Sequence, residues 1–196
     1  TQVLSSAASD VYKRQIVDTP GHADFGGEVE RVLSMVDSVL LLVDAVDGPM
    51  PQTRFVTQKA FEKGLNPILV INKIDRPSAR PDWVQDQVFD LFDRLGGNDQ
   101  QMDFPTIYTS ALNGTSGLDL EKIEEDMSPL LDLIISKVNE PAVSLEEPFQ
   151  MQISALDSNS YVGVIGIGRI SRGNVKPNDQ VVVIDAEGEQ KTGKIL

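Results

Sequence analysis

Two hydrophobic rhythms divide the chain. Up to Val138, continuous apolar runs alternate with runs spaced at three and four; from Phe149 onward the spacing is two. Val29, Val32, Leu33 and Val36 sit at i, i+3, i+4 and i+7, one face of a helix. Residues 38–44 follow as an unbroken apolar run ending in Asp44. Such a run predicts a strand covered on both faces, as a parallel sheet requires. Pro51 opens a predicted helix near residues 52–63, with Gly64 at its end. Residues 68–71 form the next buried strand. After Asp82, a helix points Val84, Val88, Leu91, Phe92 and Leu95 inward and stops at Gly96-Gly97. Residues 106–109 read as a further strand, and Leu130, Leu131, Ile134, Ile135 and Val138 as the stripe of a last helix. Strands alternating with helices predict a parallel α/β sheet with flanking helices.

The segment 139–148 is polar, carries two prolines and reads as a linker. Beyond it Phe149, Met151 and Ile153 alternate with Gln150 and Gln152. Strands are predicted over 161–170 and 180–184, with turns at Ser171-Arg172-Gly173 and Pro177-Asn178-Asp179. Gly163, Gly166 and Gly168 within one strand suggest a sharply bent sheet. Residues 149–196 are therefore expected to be part of an antiparallel β-barrel domain, with the last residues reading as a strand cut short. Residues 1–15 carry no clear period and join the rest abruptly at Ile16. They are expected to be foreign to the native sequence, or a disordered N-terminus.

The 196 residues are 40% hydrophobic and 24% charged, a globular balance. There is no cysteine, which excludes disulfides, thiolate metal sites and a cysteine nucleophile. No apolar run is long enough to span a membrane and no signal peptide is visible, so a cytoplasmic protein without a membrane partner is expected. The net charge of −13 opposes long-range attraction to naked nucleic acid, and no DNA partner is expected.

Three motifs fall after predicted strands, where α/β folds bind ligands. In Asp18-Thr19-Pro20-Gly21-His22, the Asp18 carboxylate suits Mg²⁺ held through water, and Gly21 lets a backbone N–H approach a phosphate oxygen. In Asn72-Lys73-Ile74-Asp75, the Asp75 carboxylate can accept from the N1–H and exocyclic amine of guanine, a donor pair that adenine lacks. Asn72 can brace the base and a neighbouring loop, and the Lys73 stem can lie over the ring. Ser110-Ala111-Leu112 offers backbone N–H groups to a guanine carbonyl. The second motif begins 54 positions after the first (72 less 18), and the third 38 after the second (110 less 72), each gap holding helix–strand units.

With these motifs in this order, the chain from residue 16 resembles the translational GTPases. The stretches GGEVERVLSMVDSVLLLVDAVDGPMPQTRFVTQKA, INKIDRPSARPDWVQDQVFDLF, SALNG and PFQMQISALDSNSYVGVIGIGRI resemble the BipA/TypA branch, with an elongation-factor-G or LepA paralogue as the alternative. The resemblance implies a partial GTP-binding domain over 16–138, a partial β-barrel domain after it, GTP/GDP with Mg²⁺ as ligands and the ribosome as partner. It implies that Gly21 senses the γ-phosphate and that His22, the single histidine, orients the attacking water. The family also opens on a GxxxxGK(S/T) phosphate loop, which these 196 residues do not contain. The 196 residues alone are thus expected to be inactive, and a non-catalytic binding remnant stands as the rival function.

Other residues have plainer readings. Asp44 is expected to be a solvated strand end, Trp83 a packed helix residue, and Glu121, Glu124, Glu125 and Asp126 a solvated helix start. Arg169, Arg172 and Lys176 face either ribosomal RNA or solvent.

Overall fold

The computed structural model describes residues 14–18, 26–141 and 144–196. The chain forms two compact units, Thr1–Glu140 and Pro141–Leu196.

In the first unit, α1 (Gly26–Leu33) leads to β1 (Ser38–Asp44), α2 (Pro51–Glu62), β2 (Asn66–Asn72) and α3 (Pro81–Arg94). A short α4 (Asp99–Met102), β3 (Thr106–Ser110), β4 (Thr115–Asp119), β5 (Lys122–Glu124) and α5 (Ser128–Lys137) complete it. The strands lie in the order β1-β2-β3-β4-β5. The pairs β1–β2 and β2–β3 are parallel, while β3–β4 and β4–β5 are antiparallel. Side-chain alternation explains why the middle of β2, residues 68–71, is apolar on both faces. Leu69 and Ile71 pack with Val84, Val88 and Phe92 of α3, while Ile68 and Val70 pack with Ile107 and with Leu133 of α5. A third cluster, Val29, Leu33, Ala60 and Leu65, joins α1 to α2. Residues 14–18 form no strand, and Val17 is exposed.

Several predicted boundaries move. Helix α3 starts at Pro81, so Asp82 lies in its first turn; proline lacks the N–H that the first helical residue has no use for. The acidic cluster is not a helix start. Glu121 lies in the turn between β4 and β5, Glu124 is in β5, and α5 begins only at Ser128, whose N–H donates to Asp126 Oδ1. Close antiparallel pairing decides this. A Cβ at Gly117 would lie 2.5 Å from the Lys122 carbonyl oxygen, so only glycine admits the approach. The inward face of α5 also differs. Leu133 is buried with Leu130, Ile134 and Val138 packed beside it, whereas Leu131 and Ile135 are exposed. Trp83 is only partly packed: its ring lies 3.9 Å from the Arg80 guanidinium.

The second unit contains two antiparallel ribbons, β6 (Gln150–Asn159) with β7 (Gly163–Arg172), and β8 (Gln180–Ile184) with β9 (Gln190–Lys194). The period of two appears as these strands. The β6–β7 register shifts twice, between Gln150 and Met151 and between Ile153 and Ala155. At the second shift, a Cβ on Gly168 would fall 1.9 Å from the Gln152 carbonyl oxygen.

Candidate functional site

The parallel strands β1, β2 and β3 end side by side at Asp44, Asn72 and Ser110, since Asp44 pairs with Asn72 and Asn72 with Thr109. The loops leaving β2 and β3 line an open cavity of about 420 Å³, bounded by Asn72, Lys73, Asp75, Arg76, Ala111 and Leu112.

The Asn72 side-chain oxygen, Oδ1, knits the loops together. It accepts from its neighbour's backbone, Lys73 N–H, at 2.8 Å, from Ala111 N–H at 3.0 Å and from the Thr109 hydroxyl at 3.2 Å. The Ile74 N–H donates to the Thr109 carbonyl at 3.3 Å. The buried Ser110 hydroxyl donates to Asp75 Oδ1, and in turn accepts from Asn113 N–H. Hydrogen bonds therefore hold one oxygen of Asp75, while Oδ2 takes no partner among the described residues. Leu112 is 87% exposed at the cavity rim.

Lys73 has φ +69°, a left-handed conformation that costs a side-chain-bearing residue about 1–3 kcal/mol. Its ammonium donates to Asp44 Oδ2 at 2.6 Å, and Arg76 Nη1 lies 3.5 Å from the same oxygen. Asp44 Oδ1 accepts from Val46 N–H at 2.8 Å and, more distantly, from Asp47 N–H at 3.4 Å. The expectation of a solvated Asp44 is thus overturned: its side chain is 13% exposed and doubly paired. Sequence reasoning missed it, and Arg76 with it, because the pairing depends on the β1–β2 register.

Burial alone would raise the Asp44 pKa, but the hydrogen bond from Lys73 and those from the Val46 and Asp47 N–H groups outweigh it and hold the carboxyl below its ordinary value of 3.8. A depressed folded-state pKa contributes stability that is fully present above the unfolded value and lost as pH falls through the folded one. Melting temperatures followed down through pH 3.8 should therefore drop more for the unsubstituted protein than for Asp44→Asn. Parallel acid limbs would contradict the role given to Asp44.

Asp18 is described and exposed. Among the described residues, no group of three or more His, Asp or Glu could hold a metal ion. Thr19, Pro20, Gly21 and His22 lie outside the described residues.

A sequence profile of the elongation factor Tu GTP binding domain matches residues 3–140. The chain is 69% identical over 184 residues to the large ribosomal subunit assembly factor BipA of Haemophilus influenzae, and equally to that of Escherichia coli strain K12; in each case 94% of this chain is covered. The chain belongs to the translational GTPases, in their BipA/TypA branch. It spans about 30% of the length of these BipA relatives. The fold agrees with this membership. The structure of elongation factor SelB from Methanococcus maripaludis, in complex with the GTP analogue GPPNHP, superposes with a TM-score of 0.73. That match covers 98% of this chain and 40% of SelB, at 22% identity. A bacterial selenocysteine-specific elongation factor, EF-Sec, gives 0.64 over 88% of this chain and 28% of its own, again at 22%. Among the described residues of this GTPase-family chain, no helix is long and apolar enough to cross a membrane.

Proposed function

We propose that these residues form the guanine-recognition part of a GTP-hydrolysing protein that works on the ribosome. One observation carries the reading: Asn72 and Asp75 are hydrogen-bonded to the 109–111 segment around an open cavity, rather than buried in the packing of the fold. Asp75 Oδ2 is available to guanine, the Lys73 stem supplies an apolar surface, and Leu112 lines the same cavity, while the Ala111 N–H is already engaged by Asn72 Oδ1. The residues present fit a guanine base on these grounds.

GTP would be cleaved to GDP and phosphate. Gly21 would meet the γ-phosphate through its N–H, His22 would orient the attacking water, and Asp18 would support Mg²⁺ through a water molecule. The metal's contribution is to neutralise charge developing on the phosphate oxygens. The name shared by the BipA relatives, large ribosomal subunit assembly factor, supports a ribosomal partner. A cytoplasmic setting follows from that partner.

Asp75→Asn tests base recognition in the full-length protein. One oxygen becomes an amine facing the guanine amine, so GDP binding should weaken by about 1.5–3 kcal/mol, the scale of charge-assisted hydrogen bonds. Xanthosine diphosphate, which carries a carbonyl where guanine has the amine, should gain. Unchanged GDP affinity in a fluorescence titration would remove Asp75 from the base pocket.

A further inference from the structure

We propose that Asp44 is a positioning residue of the base pocket: it anchors the Lys73 ammonium so that the lysine stem is already held along the cavity when a purine arrives. The inference rests on the guanine-pocket reading above and adds to it a residue outside all three motifs.

Lys73 is fixed at both ends. Its backbone N–H donates to Asn72 Oδ1 at 2.8 Å and its Nζ reaches Asp44 Oδ2 at 2.6 Å. Between these points runs a flexible methylene stem, and the residue lines the same cavity as Asp75. A free lysine would lose rotamer freedom on stacking against a base, and that loss is subtracted from affinity. A tethered one has lost it beforehand.

The anchor is itself anchored. Asp44 ends β1 in register with Asn72, its Oδ1 accepts from two loop N–H groups, and its carbonyl accepts from Gly48 N–H at 2.9 Å. Arg76, whose guanidinium lies 3.5 Å from Asp44 Oδ2, also lines the cavity. One carboxylate thus balances two cations at the rim. The loop N–H groups occupy Oδ1 and so orient the carboxylate, which leaves Oδ2 directed at the Lys73 ammonium.

The test is a double-mutant cycle in the full-length protein carrying this sequence, read by GDP affinity. Asp44→Asn keeps an oxygen for the Val46 N–H but loses the charge; Lys73→Met keeps an apolar stem but loses the ammonium. Asp44→Asn should weaken GDP binding about tenfold, or ~1.4 kcal/mol, when Lys73 is present. It should change binding by less than about twofold in the Lys73→Met background, the limit within which independent sites add. Equal losses in both backgrounds, or none in either, would overturn the proposal. An electrostatic effect on the phosphates through net charge would give equal changes and so is separated by the cycle.

A second measurement needs no substitution. In nucleotide-free protein treated with an acetylating active ester, Lys73 should react more slowly than Lys63, although both side chains are exposed. Equal rates would overturn the tether. Asp75→Asn separates the two levels. If it exchanges guanine for xanthine preference while the cycle is additive, the positioning role alone fails. If it leaves GDP affinity unchanged, the pocket reading fails with it.

Discussion

Phe92→Ala is expected to destabilise the first unit by about 3–5 kcal/mol, the range for emptying a buried aromatic position. Phe92 is fully buried in α3 and packs against the sheet through the cluster holding Leu69 and Ile71. Its ring meets Phe61 edge-on at 5.0 Å between centroids and Phe104 at 4.7 Å. Truncation therefore removes apolar burial and two aromatic contacts together. Those partners come from α2 and from the segment before β3, so a local collapse would have to move several elements at once. Phe92→Leu, which keeps most of the volume, should cost less. Urea unfolding with an unchanged slope would read the loss directly; a shift worth under about 1 kcal/mol would mean the surroundings close the gap.

In the full-length protein, His22→Ala should slow ribosome-stimulated GTP hydrolysis about 10²–10⁴-fold, the usual contribution of a group that positions water or moves a proton in the transition state. Nucleotide affinity should stay nearly constant, because a residue that acts on the attacking water makes little contact with bound GTP in the ground state. This split distinguishes His22 from Asp75, whose substitution should appear in binding first. Single-turnover phosphate release decides it: a variant that binds tightly and turns over undiminished removes His22 from the chemistry. The expectation comes from the family motif, since His22 lies outside the described residues.

Periodicity carried the α/β reading of the first unit because burial on both faces leaves a mark in the sequence. The apolar runs of β1 and β2 and the three-and-four spacing of α3 are each the record of one packing surface. The stretch 115–126 left no such mark. Its strands are short and largely polar, and antiparallel pairing at Gly117 outweighs the helix preference of its glutamates. The α5 stripe was blurred for the opposite reason. Five apolar residues there allow more than one face, and only contact with Ile68, Val70 and Ile107 selects Leu133.

By itself the sequence determined the strand–helix alternation, the change to period two after the linker, and the two loops whose side chains suit guanine. Those are local properties, written in spacing and residue type. Only the tertiary structure decided that Asn72 braces the 109–111 segment, that Ser110 occupies one oxygen of Asp75, and that Asp44 holds Lys73 and Arg76. These contacts join residues 29 to 39 positions apart in the chain. They form because parallel pairing brings three strand ends to one edge, and that register comes from long-range packing rather than from any local pattern.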